Sequence, residues 1–209
     1  MSEKDAPLWL RWAREIQSLS QTGLAYASTD YDMKRYRRLM EISAEIVESY
    51  TNLDKTQLSN NFFSQPGYAT PKIDVRGAVI RNGQILLVQE RRDMRWCMPG
   101  GWADVGELPS HSIIRETREE SGFDVEPRKL IGVYDANRGP KPVEFYHAYK
   151  IIFLCDIVRG EARSSDETSD VQFFSFDNLP PLSTFRTNNR HIADIQVHLA
   201  NEASPAAFD

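Results

Sequence analysis

Between Gly101 and Phe123 the chain reads GWADVGELPSHSIIRETREESGF, and no other stretch constrains it so tightly. A helix from Ser110 onward puts Glu116, Glu119 and Glu120 at i, i+3 and i+4, on one face. Three neighbouring carboxylates repel one another, so as a bare surface feature they cost stability. A hard divalent cation reverses that sign, because Mg2+ and Mn2+ favour oxygen ligands. Carboxylates and waters around such an ion leave positions for phosphate oxygens. Arg115 precedes the cluster and Glu107 lies eight residues earlier. A bidentate salt bridge between them would orient the acidic face and tie the 101–109 loop to the helix. Gly100 and Gly101 follow Pro99 and permit close backbone approach, so a carbonyl there is expected to face the cation. Gly122 suits a left-handed helix end.

The rest of the chain supplies a scaffold of alternating character. Trp9, Trp12, Ile16 and Leu19 recur at helical steps, and Tyr36, Leu39, Met40, Val47 and Tyr50, with Ile46 beside them, form a second stripe. Gly23 falls near the expected end of the first helix, and Asp30 or Asp32 is expected to cap the second. The pattern predicts a helical hairpin and an N-terminal helical domain over residues 1–64. Asn52 to Pro71 is polar, with a linker expected around residues 64–72. Strands are expected at Val75–Ile80, Gln84–Gln89, Trp96–Met98, Lys129–Asp135, Glu144–Asp156 and Val171–Phe176. Asn82-Gly83 marks a hairpin between the first two. A last helix is expected from about Thr187 to Ala200. Strands interleaved with two helices predict a layered α/β/α domain with a mixed sheet over residues 72–204.

Composition narrows the partners. Of the 209 residues, 41% are hydrophobic and 26% charged, which allows a packed core and argues against global disorder. The formal net charge of -5 argues against a long nucleic acid as ligand, which needs a basic face. Lys34, Arg35, Arg37 and Arg38 read as a solvated helix face. Cys97 and Cys155 are too few for a disulfide framework, and their spacing matches no zinc site. The opening Met1–Asp5 lacks the basic start of a secretory signal, and no apolar run is long enough for a bilayer. A reducing, cytoplasmic setting away from membranes is therefore expected.

The stretch 101–123 resembles the Nudix box, G-x5-E-x7-R-E-U-x-E-E-x-G-U, where U is a bulky apolar residue. Gly101, Glu107, Arg115, Glu116, Glu119, Glu120, Gly122 and Phe123 fall in register, and Thr117 departs at the first U. The resemblance implies a Nudix α/β/α sandwich that hydrolyses a nucleoside diphosphate linked to a group X, giving a nucleoside monophosphate and X-phosphate. It implies Glu116 and Glu120 as principal metal ligands and Glu119 as a supporting one. The metal, Mg2+ or Mn2+, would neutralise the diphosphate and lower the pKa of the attacking water. The general base is then a box glutamate, Glu119 or Glu120, or Glu167 in the acidic loop Ser164–Thr168. The stretches Trp9–Ala27 and Tyr31–Ile46 are similar to the helical extension of a Nudix subgroup that includes CDP-choline and ADP-ribose pyrophosphatases, and this implies a homodimer.

Substrate contacts are expected from Gly101 and from Arg76 and Arg91, with Arg92 adjacent, which would meet phosphates. Tyr134, Phe145 and Tyr146 are candidates to stack a base, although packing explains each as well. His111, His147, His191 and His198 show no ligand spacing. Two other readings of the box remain: a pyrophosphatase that clears nucleoside triphosphates, and a non-catalytic nucleotide-ligand sensor on the same scaffold. Intact box glutamates argue against the sensor, and the helical extension argues for X-linked diphosphates.

Overall fold

The computed structural model describes residues 7–52, 54–137 and 146–209. They form two compact units: the described residues up to Pro71, with Tyr146, and the larger Lys72–Asn137 with His147–Asp209.

The first unit is helical: α1 (Leu8–Tyr26), α2 (Asp30–Tyr50) and α3 (Lys55–Phe63). The face of α1 that packs inward is not the Trp12 stripe. Leu10, Ala13, Gln17 and Ser20 are buried, while Trp12 and Leu19 stay exposed. Small residues explain the choice, because they let the two backbones approach closely. Ser43 Oγ donates to the Ala13 carbonyl at 2.7 Å, and a Cβ on Gly23 would meet the Tyr36 ring at 2.3 Å. Gly23 therefore serves this crossing rather than a helix end, and α1 runs on to Tyr26. Thr29, not Asp30 or Asp32, caps α2 by accepting from Asp32 N. The polar stretch after α2 holds α3, which the sequence reading missed. Asp54 Oδ1 accepts from Gln57 N at 2.9 Å, and Leu58 joins the core of Met40, Ala44 and Val47. Asn, Ser and Thr are weak helix formers, so packing decides the outcome here.

The second unit is a layered α/β/α sandwich. Its strands are β1 (Lys72–Arg81), β2 (Gln84–Glu90), β3 (Trp96–Cys97), β4 (Phe123–Asp135), β5 (Ala148–Gly160), β6 (Thr168–Ser175) and β7 (Ala207–Phe208). Among the described residues the sheet runs β3-β2-β1-β5-β4-β7, with β6 on β2. It is mixed: β1 pairs with β5, and β4 with β7, in parallel, while the other pairs are antiparallel. Asn82 (φ 53°) and Gly83 (φ 73°) make the expected β1–β2 turn. Helix α4 (Pro109–Ser121) covers one core with Ile113, Val75, Val79 and Phe123. Helix α5 (Asn189–Ala200) covers the other with Ile192, Ile195, Ala78 and Ile152. Each fully buried aliphatic side chain contributes about 1.5–3 kcal/mol. Strand β4 is longer than expected because Pro127 sits at a register shift, where no ladder hydrogen bond is needed. The two-residue β7 carries too little pattern to read from sequence, and Glu144 and Phe145 lie outside the described residues. No described helix is long and apolar enough to cross a membrane.

Candidate active site

Pro99, Gly100 and Gly101 lie alongside β1. Gly77 N donates to the Pro99 carbonyl at 2.9 Å, and Val75 N to the Gly101 carbonyl at 2.8 Å. Of the two glycine carbonyls expected to face a cation, that of Gly101 thus turns to the strand instead. The absent side chains matter more. Gly100 has φ 137°, and a Cβ there would lie 2.0 Å from the Val75 carbonyl oxygen. A Cβ on Gly101 would lie 2.8 Å from Glu116 Oε2, so the carboxylate fills the space a side chain would take.

Helix α4 delivers the acidic groups. Pro109 opens it, and Gly122, at φ 80°, closes it in the left-handed conformation. Ile113 and Thr117 pack on Gly77 of β1, where a Cβ would be 3.2 Å from each. With that face fixed, Glu116 and Glu120 turn to the glycine pair, and Glu120 Oε2 accepts from Gly100 N at 2.8 Å. Arg115 organises the rest. Its Nη2 and Nε donate to Glu107 at 2.9 and 3.2 Å, and Nη1 reaches Glu116 Oε1 at 2.9 Å and Glu119 Oε2 at 3.2 Å. Hydrogen bonds from Arg115, then Ser112, hold the Glu107 carboxyl down at about 2. The Glu107–Arg115 bridge therefore forms, and it ties the loop to the helix.

The three expected metal ligands separate into two kinds. Glu116 and Glu120 meet at the Gly100–Gly101 turn, whereas Glu119 stands on the solvent side against Arg115. Among the described residues no three His, Cys, Asp or Glu side chains form a closed cation cage. The donors at the turn nevertheless fit a hard dication. Burial pushes the Glu120 carboxyl up to about 8 and raises that of Glu116, so each favours its neutral form until a cation beside it offsets the cost of the charge. Glu116 Oε2 takes up the space that Gly101 leaves open. Two carboxylates brought to one turn match the oxygen preference of Mg2+ and Mn2+.

Glu167 is exposed, in a loop bound to the end of α4: Thr168 Oγ1 donates to the Glu120 carbonyl at 2.9 Å. Arg91 belongs to the same loop contact, since its N donates to the Glu167 carbonyl at 3.0 Å and its guanidinium to that of Ser165. Arg76 is not a solvent-facing phosphate contact. It is buried, with Nε and Nη2 on Asp74 at 2.8 and 3.1 Å and Nη1 on the Met98 carbonyl. An arginine two residues from an aspartate on one strand shares its face, and that pairing is the signal the sequence reading passed over. Tyr134 is a core residue whose hydroxyl donates to Asp194 at 2.9 Å, so it does not stack a base. Tyr146 packs on the helical unit's core, and Phe145 lies outside the described residues.

Sequence reasoning missed two buried groups beside the site. Glu90 ends β2, is ion-paired with Arg186 at 3.3 Å, and raises the charging cost of Glu120. Lys150, 1% exposed, donates to the Phe185 and Arg186 carbonyls at 2.9 and 2.8 Å. Burial, opposed by nearby Asp74, lowers its amine to about 8. A lysine in an apolar strand pattern was the available signal.

A carboxylate-bearing loop–helix–loop on an α/β/α sandwich defines a class, and this chain belongs to the Nudix hydrolase family: the NUDIX domain matches residues 71–194. It is a Nudix pyrophosphohydrolase with a second module, since residues 7–62 match the UDP-X-like, N-terminal oligomerisation domain. The chain is 38% identical over 201 residues to YjhB of Bacillus subtilis (strain 168), provisionally named an ADP-ribose pyrophosphatase, covering 96% of this chain and 97% of that protein. An ADP-ribose pyrophosphatase from Streptococcus suis 89-1591 superposes with a TM-score of 0.61 at 34% identity, over 67% of this chain and 100% of that one. A solved UDP-X diphosphatase covers 100% of both chains with a TM-score of 0.62 at 27% identity.

Proposed function

We propose that this hydrolase cleaves the diphosphate bond of a nucleoside diphosphate linked to X, of the ADP-ribose or CDP-choline type, to a nucleoside monophosphate and X-phosphate. The observation that carries the reading is the meeting of Glu116 and Glu120 at the Gly100–Gly101 turn. Relatives named ADP-ribose pyrophosphatase and UDP-X diphosphatase support an X-linked diphosphate over a nucleoside triphosphate.

In this reading Glu116 and Glu120 hold Mg2+ or Mn2+, with Glu119 in support. The ion supplies charge neutralisation and an acidified water when bound. Glu107 and Arg115 keep the carboxylates oriented, as Arg115 bridges Glu107, Glu116 and Glu119. Gly101 lets the Glu116 carboxylate lie against the backbone, where the diphosphate would meet it. Glu167 is the base that takes the water proton, and Arg91 fixes its loop. The Glu167 carboxylate is exposed, whereas that of Glu119 is held by Arg115. The helical unit supports a homodimer through the exposed Trp12 and Leu19 of α1. Buried free thiols at Cys97 and Cys155 support a reducing, cytoplasmic setting.

The test is product analysis with ADP-ribose, CDP-choline, a UDP-sugar and a nucleoside triphosphate, each with Mg2+, Mn2+ or chelator. Metal-dependent release of a nucleoside monophosphate from an X-linked diphosphate is expected. Turnover of the triphosphate alone would overturn the substrate class.

A further inference from the structure

Helix α4 ends at Ser121, so the carbonyls of Glu120 and Ser121 have no partner within the helix. The connection between β5 and β6 supplies donors to both. Arg163 N donates to the Ser121 carbonyl at 2.9 Å, and Thr168 Oγ1 to the Glu120 carbonyl at 2.9 Å. Thr168 is fully buried, and its hydroxyl has a single proton to give. That proton goes to Glu120, so the oxygen accepts from Ser165 N at 3.0 Å and from Ser165 Oγ at 3.1 Å. Ser165 Oγ in turn accepts from Glu167 N and Thr168 N, each at 3.2 Å. A hydroxyl that binds the backbone two and three residues on closes a tight turn. Glu167 thus sits inside a turn built by two hydroxyls, and one of them binds the helix that bears Glu120.

We infer that Thr168 is a positioning residue, whose hydroxyl holds the Glu167 turn at a fixed place relative to Glu120. It rests on the proposed function, with Glu167 as the base and Glu120 as a metal ligand. Glu120 engages the site from both ends: its carboxylate accepts from Gly100 N at 2.8 Å, and its carbonyl accepts from Thr168. One residue therefore joins the glycine turn to the Glu167 turn, through a single O–H···O bond on the loop side. The other contacts of the loop do not replace that bond. Arg163 meets the helix upstream of the turn, and Arg91 ties the turn to the end of β2 rather than to α4. A base acts only within hydrogen-bond reach of its proton, and a displacement of about 1 Å costs on the order of 100-fold in rate. Valine has the shape of threonine without the hydroxyl, so Thr168→Val cuts the tie and leaves the packing of Ile113 and Thr117 on Gly77 untouched.

Kinetics on ADP-ribose with Mn2+, using the full chain, test this. Thr168→Val should lower kcat at least fivefold, with KM and Mn2+ affinity within twofold of the parent. Thr168→Ser keeps the hydroxyl and should restore most of kcat. In a Glu167→Gln background the valine should change the residual rate less than twofold, because no base remains to be positioned. Ser165→Ala loosens the turn but keeps the Glu120 bond; it decides the matter if Thr168→Val does not fold, with a loss of at least threefold in kcat that also vanishes in Glu167→Gln. A smaller loss in the folded variant, a loss of equal size in the Glu167→Gln background, or a matching loss of Mn2+ affinity would overturn the positioning role. Amide hydrogen exchange reads the same tie without turnover. Residues 163–168 should exchange at least tenfold faster in Thr168→Val and at the parent rate in Thr168→Ser, and unchanged exchange in Thr168→Val would sink the tie. The two readings separate cleanly. A parent chain that cleaves no nucleoside diphosphate-X, yet shows this exchange pattern, sinks the proposed activity and supports the tie. One that cleaves ADP-ribose and slows in Glu167→Gln, yet turns over normally in Thr168→Val, does the reverse.

Discussion

Replacing Gly101 by alanine adds one methyl group at the point where helix and turn meet. The three nearest atoms to that methyl all belong to the Glu116 carboxyl group: Oε2 at 2.8 Å, Cδ at 3.0 Å and Oε1 at 3.1 Å. Ordinary contact begins near 3.4 Å, so the carboxylate must retreat by roughly 0.6 Å. No backbone atom is among those neighbours, and Gly101 is not among the positive-φ glycines, so the main chain accepts alanine. At such compatible sites Gly→Ala stabilises by about 0.4–1 kcal/mol through the unfolded chain. A misplacement of about 1 Å in an active site costs on the order of 100-fold in rate. Gly101→Ala should therefore keep its melting temperature within a few degrees and lose roughly ten- to a hundredfold in kcat/KM on ADP-ribose. Gly100→Ala is the contrast: φ is 137° and the Val75 carbonyl oxygen would be 2.0 Å away, so the fold itself suffers. Thermal melting and steady-state kinetics on the same preparations make the comparison. A folded Gly101→Ala variant with normal turnover would refute the placement of Glu116 in the reaction.

Two further outcomes concern stability. Among the described residues Thr117 Oγ1 is buried without a hydrogen-bond partner, and an unsatisfied buried polar group costs about 1–3 kcal/mol; Thr117→Val should raise the melting temperature by a few degrees, and a lower value would show that the hydroxyl is satisfied. His191 is buried, and burial, then nearby Lys150, lowers its pKa from 6.5 to about 3. The unfolded chain then binds the extra proton first, so stability is complete above about 6.5 and falls as pH drops towards 3, with a limiting slope of about 1.4 kcal/mol per pH unit. Glutamine keeps the capping-box geometry at that position and does not titrate; denaturant melts of His191→Gln between pH 4 and 7 should show a shallower slope, and an unchanged slope would assign the acid sensitivity elsewhere.

What the sequence disclosed follows from how local each feature is. The acidic face of α4, the Glu107–Arg115 bridge and the Asn82-Gly83 turn are set by residues within a few positions of one another, so spacing alone reveals them. The mixed sheet was legible because apolar strands alternate with two amphipathic helices. Features decided by tertiary contact were not. The stripe of Trp9, Trp12, Ile16 and Leu19 reads as the natural core face, yet Ala13 and Ser20 pack inward because small residues let α1 and α2 cross closely. Arg76 and Arg91 have the same side chain, and only the partners, Asp74 for one and the Ser165 carbonyl for the other, set their roles. Glu119 and Glu120 are adjacent in the chain, but the packing of Ile113 and Thr117 turns one to solvent and the other to the glycine pair.

The proposed hydrolysis depends on Glu116 and Glu120 holding a cation between them. Titration of the full chain with Mn2+, followed by the EPR signal of the free ion, reads that site without any substrate. Saturable binding that weakens at least tenfold in Glu116→Gln and in Glu120→Gln, with both variants folded by circular dichroism, is the predicted result. Unchanged Mn2+ binding in the two folded variants would rule these carboxylates out as its ligands.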